Sequence, residues 1–187
     1  ALRERALEAE DAARGVKGIT NSDGGSASHS RMRMAIATTG GFIGGYGTSS
    51  HSTSVGVLAG EGSDMQRSSD WHSARYLEDL KTAEAIGLKA AQNTIEKMMP
   101  GKMKSGAMPV VFDRRVGAGL VGMLTGAITG SAMARRTSFL LDRLGDQIFA
   151  KGITIVDEPH RLRGLRSRPF DGEGLPVTGG HLIDQGV

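Results

Sequence analysis

The stretch "VGAGLVGMLTGAITGSAMA", Val116 to Ala134, runs without a charged or histidine side chain, and the rest of the chain is interpreted from it. Arg114 and Arg115 precede it; Arg135 and Arg136 come directly after it. Its 19 residues approach the roughly 20 that cross a bilayer. Gly122, Gly126 and Gly130 recur every fourth residue, a spacing that lets helices approach closely. Its large apolar side chains are only Val116, Leu120, Val121, Met123, Leu124, Ile128 and Met133. The remainder are Gly, Ala, Ser and Thr, which gain little on entering lipid. Mean hydropathy of the chain is −0.21, and no second candidate span exists. The run therefore reads as a buried small-residue packing helix and not as a membrane span.

Upstream, Leu2, Ala6, Ala9 and Ala13 predict a helix over residues 1–15, ending near Gly15. "NSDGGSAS", Asn21 to Ser28, reads as turn chemistry. "RMRMAIATT" alternates, with Met32, Met34 and Ile36 on one strand face. "FIGGYGTSS", "HSTSVGVLAGEG" and "DMQRSSDWHSARYL" read as further short strands of an antiparallel meander with one wet face. Ala83, Gly87, Ala91, Ile95 and Met98 predict a helix within Lys81–Met99, stopped by Pro100 and Gly101. "AMPVVFD", Ala107 to Asp113, reads as a short buried strand before the opening run, and "ITIVDE" as another strand after it. The expected fold is α+β: an antiparallel β meander with packed helices, followed by a buried small-residue helix with short strands. The expected divisions are residues 1–15 (the end of an N-terminal domain helix), 16–104 (the meander and its helix) and 105–187 (the first part of a C-terminal domain).

Composition narrows the chemistry. The 187 residues contain no Cys, which excludes a disulfide framework, a thiolate nucleophile and a Cys-based zinc site. Net charge is +3, too small an excess to indicate nucleic acid by itself. One local cluster, "HRLRGLRSR", holds Arg161, Arg163, Arg166 and Arg168, a candidate phosphate-binding patch. It lacks interleaved aromatic residues for base stacking. The chain opens with Ala inside a helical pattern and carries no signal-peptide pattern, so it reads as an internal piece of a longer protein.

No catalytic constellation emerges from spacing alone. His29, His51, His72, His160 and His181 are scattered, with none in helical reach of another. Ser52 is next to His51, but neighbouring strand residues point to opposite faces, so His51 does not activate it. Asp64 and Asp70 have no assignable partner. "GGFIGGYG" lacks the Lys-Ser/Thr ending of a phosphate loop and opens no helix.

Four strings nonetheless occur together in a recognisable order. "GITNSDGGSAS" resembles the Thr-Asn-Ser-Glu-Gly turn of the TldD/PmbA family, and "MPVVFDRRVGAGLVGMLTGAITGSAMARRTSFLLDRLGDQIF" resembles the segment that follows its small-residue helix. "ITIVDEPH" and "RPFDGEGLP" resemble its strand and its Phe-Asp-x-Glu-Gly loop. The resemblance runs from about Val16 onward. It implies two branches: a TldD branch with an HExxxH zinc motif on this helix and peptidase activity, and a PmbA (TldE) branch that lacks the motif and assembles with TldD. Aligned by the glycine before its second histidine, the motif falls on Ala118, Gly119 and Met123, and "TSFLLDRLG" looks more like the PmbA branch.

The resemblance thus implies a non-catalytic, cytoplasmic PmbA-type subunit of a TldD-like zinc metalloprotease complex acting in peptide maturation and proteolysis. It implies no cofactor in this chain, zinc in the partner, a TldD-like protein partner in a hetero- or homodimer, and an extended peptide substrate. No membrane partner is expected and nucleic acid is disfavoured. The alternative is a nucleic-acid or DNA-gyrase-associated binding protein, resting on the Arg161–Arg168 cluster and on the "modulator of DNA gyrase" name used in the family.

Overall fold

A computed structural model describes residues 1–187. The order is α1 (Leu2–Arg14), β1 (Ile19–Ala37), β2 (Ile43–Ala59), β3 (Gln66–Ala74), α2 (Ala83–Ile95), α3 (Arg114–Ala127), α4 (Gly130–Ala134), β4 (Ile155–Asp157) and β5 (Gly180–Ile183). The α+β class is as the sequence predicts. Residues 1–102 and 158–179 form one compact unit, and residues 103–157 and 180–187 a second. Thus α1 lies in the same unit as the meander, and the segment 158–179 groups with it as well.

The first unit is a three-stranded antiparallel sheet in the order β1-β2-β3. Helix α1 packs on α2 and β1, and α2 packs on β2 and β3. The core between helices and sheet is Ala9, Ala13, Val55, Val57, Ala83, Ile86, Ala90 and Ala91. With so many alanines, core contact requires backbones to come close. Two glycines permit it. A Cβ on Gly25 would collide with the Ala6 carbonyl of α1, and one on Gly87 would collide with the Ala9 carbonyl and press on Ala12 and Ala13.

The expected stripe on α2 is buried at Ala83, Gly87 and Ala91. It rotates toward Ile86, Ala90, Asn93 and Thr94, so that Ile95 is exposed. The Thr82 hydroxyl caps the helix, accepting from the Ala85 N–H at 3.2 Å.

Two readings of the meander are corrected. Residues 21–28 are not a turn but lie inside β1. Their turn chemistry is spent on bulges: the register slips between Ile19 and Asn21 and between Ser22 and Gly24. Gly24 adopts φ +99°, and its N–H donates to the Ser22 hydroxyl at 2.9 Å. "FIGGYGTSS" and "HSTSVGVLAGEG" are also not separate strands but the continuous β2. Its glycines do not break it because the long pairing with β1 holds every residue from Ile43 on.

In the second unit, Val116–Ala134 is helical but divided. Helix α3 ends at Ala127, and the Thr129 hydroxyl starts α4 by accepting from the Ala132 N–H at 3.3 Å. The expected burial is confined to Leu124, Ala127 and Ala132. Val116, Leu120, Val121 and Met123 are exposed, and a Cβ at Gly117, Gly119, Gly122, Gly126 or Gly130 would meet nothing. Residues 107–113 form no strand and are exposed, because no neighbouring strand lies alongside to take their hydrogen bonds and Pro109 has no N–H to offer. Strands β4 and β5 pair antiparallel, with Ile183 buried. No helix is long and apolar enough to cross a membrane.

The glycine stripes therefore diverge in outcome. Gly87→Ala should destabilise the chain by about 1–3 kcal/mol through overpacking, despite alanine's better helix propensity. Gly126→Ala in this chain should instead stabilise α3 by up to about 1 kcal/mol. Denaturant melts of the two variants check the opposite signs.

Candidate functional site

Helix α3 carries the three positions aligned with the zinc motif. Its start is fixed by Asp113, whose carboxylate accepts from the Arg115 N–H at 2.8 Å and from Arg115 Nε at 2.9 Å. Ala118, Gly119 and Met123 lie beyond it on the exposed surface of the helix. Ala and Gly offer no donor, and a thioether is a poor zinc ligand. Positions 118 and 123, five residues apart on a regular α-helix, project about 140° apart. No group of three or more His, Asp or Glu side chains in the chain is gathered closely enough to hold a metal. These residues do not fit a hydrolytic zinc centre.

The four arginines of the basic cluster do not act together. Arg163, at φ +58°, turns back onto the fold, donating to both carboxylate oxygens of Asp79 at 2.9 and 3.0 Å and pairing with Glu78 at 2.7 Å. Its guanidinium also lies 4.3 Å from the centroid of the Tyr76 ring. Hydrogen bonds to Asp79 and then Glu78 raise its already high pKa. Arg161, Arg166 and Arg168 remain exposed.

A second arginine, overlooked in the sequence, anchors the same segment. Arg75 donates to the carbonyls of Gly164 at 3.0 Å, Leu165 at 2.6 Å, Ser167 at 3.4 Å and Ser49 at 3.4 Å. The loop is completed by "RPFDGEGLP". Phe170 is buried, edge-on to Phe42 and Tyr46 at 4.9 and 5.3 Å. Asp171 accepts from the Glu173 and Leu175 N–H groups, both at 2.9 Å, and these bonds lower its pKa. Gly174, at φ +86°, also packs against Phe42, so closely that a Cβ there would collide with the ring. Residues 158–179 are thereby clamped along the outer part of β2.

The histidines are less scattered than they read. His29 and His51 face each other across β1 and β2, rings stacked at 4.4 Å and 15°. Their equal distance from Gly40 predicts this facing only for a β2 that runs unbroken from Ile43 to Ala59. His72 Nδ1 accepts from the Lys81 N–H at 3.2 Å, and His160 Nε2 meets the Val177 carbonyl at 2.8 Å. Asp64 is exposed, whereas Asp70 is buried with Oδ2 unpartnered. Ser52 accepts from the Ser73 hydroxyl at 3.0 Å and has no histidine on it.

The chain thus combines a meander braced by two helices, an Arg-clamped Phe-Asp loop on it, and a small-residue helix that follows in sequence. Residues 1–98 match the PmbA/TldA metallopeptidase central domain, and residues 105–187 match the C-terminal domain. The chain belongs to the PmbA/TldD metallopeptidase family. It is 38% identical over 185 residues to Metalloprotease PmbA of Escherichia coli O157:H7, covering 98% of this chain and 41% of that protein. It is 31% identical over 186 residues to a Metalloprotease PmbA homolog of Haemophilus influenzae, again 98% of this chain and 41% of the relative. Its fold is similar to the crystal structure of a putative modulator of a DNA gyrase from Thermotoga maritima, with TM-score 0.91, 25% identity and coverage of 99% and 43%. TldE from Thermococcus kodakarensis shares the fold at TM-score 0.77 and 21% identity, with coverage of 99% and 42%. The chain thus spans about two fifths of the length of its curated relatives.

The charges at these sites can be tested in two ways. The Asp113 pKa is lowered, first by its bond from the Arg115 side chain and then by the Arg115 N–H. A depressed carboxylate contributes stability above its unfolded value and loses it as pH falls through the folded value. Amide exchange over residues 114–118 should therefore speed up as pH drops below about 4, relative to the intrinsic rate, and Asp113→Ala should abolish that dependence. With Arg163 committed internally, any DNA binding by this cluster should rest on Arg161, Arg166 and Arg168. It should be weak and be lost steeply with salt, as a filter-binding titration at several salt concentrations would show.

Proposed function

We propose that this chain is part of a non-catalytic PmbA-type subunit that works with a zinc-bearing TldD-like partner of the same family in the cytoplasm, in peptide maturation and proteolysis. The observation that carries the reading is the chemistry at Ala118, Gly119 and Met123: neither of two ligand positions nor the general-base position has a suitable donor. A zinc hydrolase needs about three protein ligands and a bound water whose pKa the metal lowers to ~7. The complementary role for this subunit is to hold an extended peptide. Strand β1 supports it, because it lies at the edge of its sheet and its outer N–H and C=O groups are available for strand addition. The partner would then supply the metal, in a hetero- or homodimer.

Purified alone, the protein should hold no stoichiometric zinc after chelation and reconstitution and should cleave no peptide. Activity should appear on adding a motif-bearing partner. One tightly held zinc per chain with peptidase activity in the absence of a partner would contradict the assignment. The triple change Ala118→His, Gly119→Glu and Met123→His should still bind zinc poorly, because the regular turns of α3 spread the two histidines around the helix.

A further inference from the structure

The helices cover only the inner half of the sheet face. Thr53 marks the edge of that cover, where its hydroxyl accepts from Arg5 Nε of α1 at 2.8 Å. By strand alternation, His51, Ser49 and Gly47 of β2 continue the same face outward, and His29, Arg31 and Arg33 of β1 lie beside them. Arg31 pairs in register with Ser49, and Arg33 with Gly47. Here the helices no longer cover the face, and residues 162–167 border it on the β2 side. A groove of about 610 Å³ at this end of the hairpin is lined by Arg31, Met32, Arg33, Gly47, Thr48 and Ser49, of which Met32 and Thr48 alternate onto the other face. Gly47 contributes no side chain to it, and none of the lining residues is acidic.

Arg31 and Arg33 are exposed and make no hydrogen bond or ion pair within the chain. Arg75 and Arg163, which border the same β2 residues, are both committed to internal partners. Two unpaired guanidinium groups thus stand at alternate positions of an edge strand, about 6.6–6.8 Å apart along it.

We propose that an extended peptide bearing acidic side chains at alternate positions docks along β1, with its carboxylates on Arg31 and Arg33. A strand added to β1 places every second side chain on this face, with the period of the two arginines and about 4.5–5.5 Å from them. Guanidinium groups bind carboxylates in bidentate fashion. Main-chain bonds to β1 give affinity without sequence preference, and the arginine pair adds selection for acidic side chains. A nucleic acid could use the two charges but not the strand edge, and the groove offers no aromatic ring for stacking. The inference rests on the peptide-holding role proposed above and adds the class of peptide held.

The test measures fluorescence anisotropy of the full chain at low salt with three labelled probes. These are a peptide with alternate Glu residues, the same peptide with Lys in their place, and a single-stranded oligonucleotide of equal charge. The Glu peptide should bind about tenfold or more tightly than the Lys peptide. Arg31→Glu with Arg33→Glu should invert that order, and the inverted binding itself demonstrates that the variant folds. Arg31→Lys with Arg33→Lys should retain the order with weaker binding. Equal binding of both peptides overturns the acidic preference while leaving peptide holding intact. Failure of every peptide to bind overturns both. Tighter binding of the oligonucleotide than of the Glu peptide overturns the proposal in favour of a nucleic-acid ligand.

Discussion

Two points of backbone contact organise the first unit: Gly25 of β1 beneath the Ala6 carbonyl, and Gly87 of α2 beneath the Ala9 carbonyl. Alanine-rich helices have little side-chain volume with which to bridge a gap. They gain burial by approaching until main chain touches main chain, and only glycine allows that distance. Once α1 is seated at both points, Ala9 and Ala13 close over Val55, Val57 and Ile86. The position of α1 then determines how far the helical cover extends along the hairpin. Arg5, fastened to Thr53 and to the Lys81 carbonyl, marks its limit.

Beyond that limit the hairpin is supported differently. The outer part of β2 is rich in glycine, and its missing side-chain volume is filled by Phe42 and Phe170, which meet at Gly44. The segment carrying Phe170 is held by the Arg75 bonds to three of its carbonyls and by the Arg163 pairs with Glu78 and Asp79. This clamp braces the outer hairpin on the β2 side while β1 keeps a free edge. In the proposed role, a rigid strand with one open edge is what a peptide-holding surface requires, because the ordering cost falls on the peptide alone.

Much of this was legible from sequence. Alternation in "RMRMAIA" and the stripe of Ala83, Gly87 and Ala91 identified the two main element types, because period 2 and period 3.6 are set by backbone geometry. Glycine was the recurring source of error. In β1 and β2 it looked like punctuation, whereas there it makes bulges and close contacts; in α3 it looked like a packing stripe, whereas there it faces open space. A glycine's role depends on what lies opposite, which is long-range information. The candidate site divided along the same line. Ala118, Gly119 and Met123 could be read one residue at a time, because an absent donor is a local fact. The engagement of Arg163 and the facing of His29 and His51 required the register and the tertiary contacts.

In the proposed role this chain contributes a peptide-holding strand and not a catalytic helix. Hydrogen exchange of the chain with and without saturating extended peptide tests it most directly. New protection should be concentrated in β1 between Ala27 and Ala37, with α3 unchanged. Protection centred on Val116–Ala127, with β1 unaffected, would contradict it.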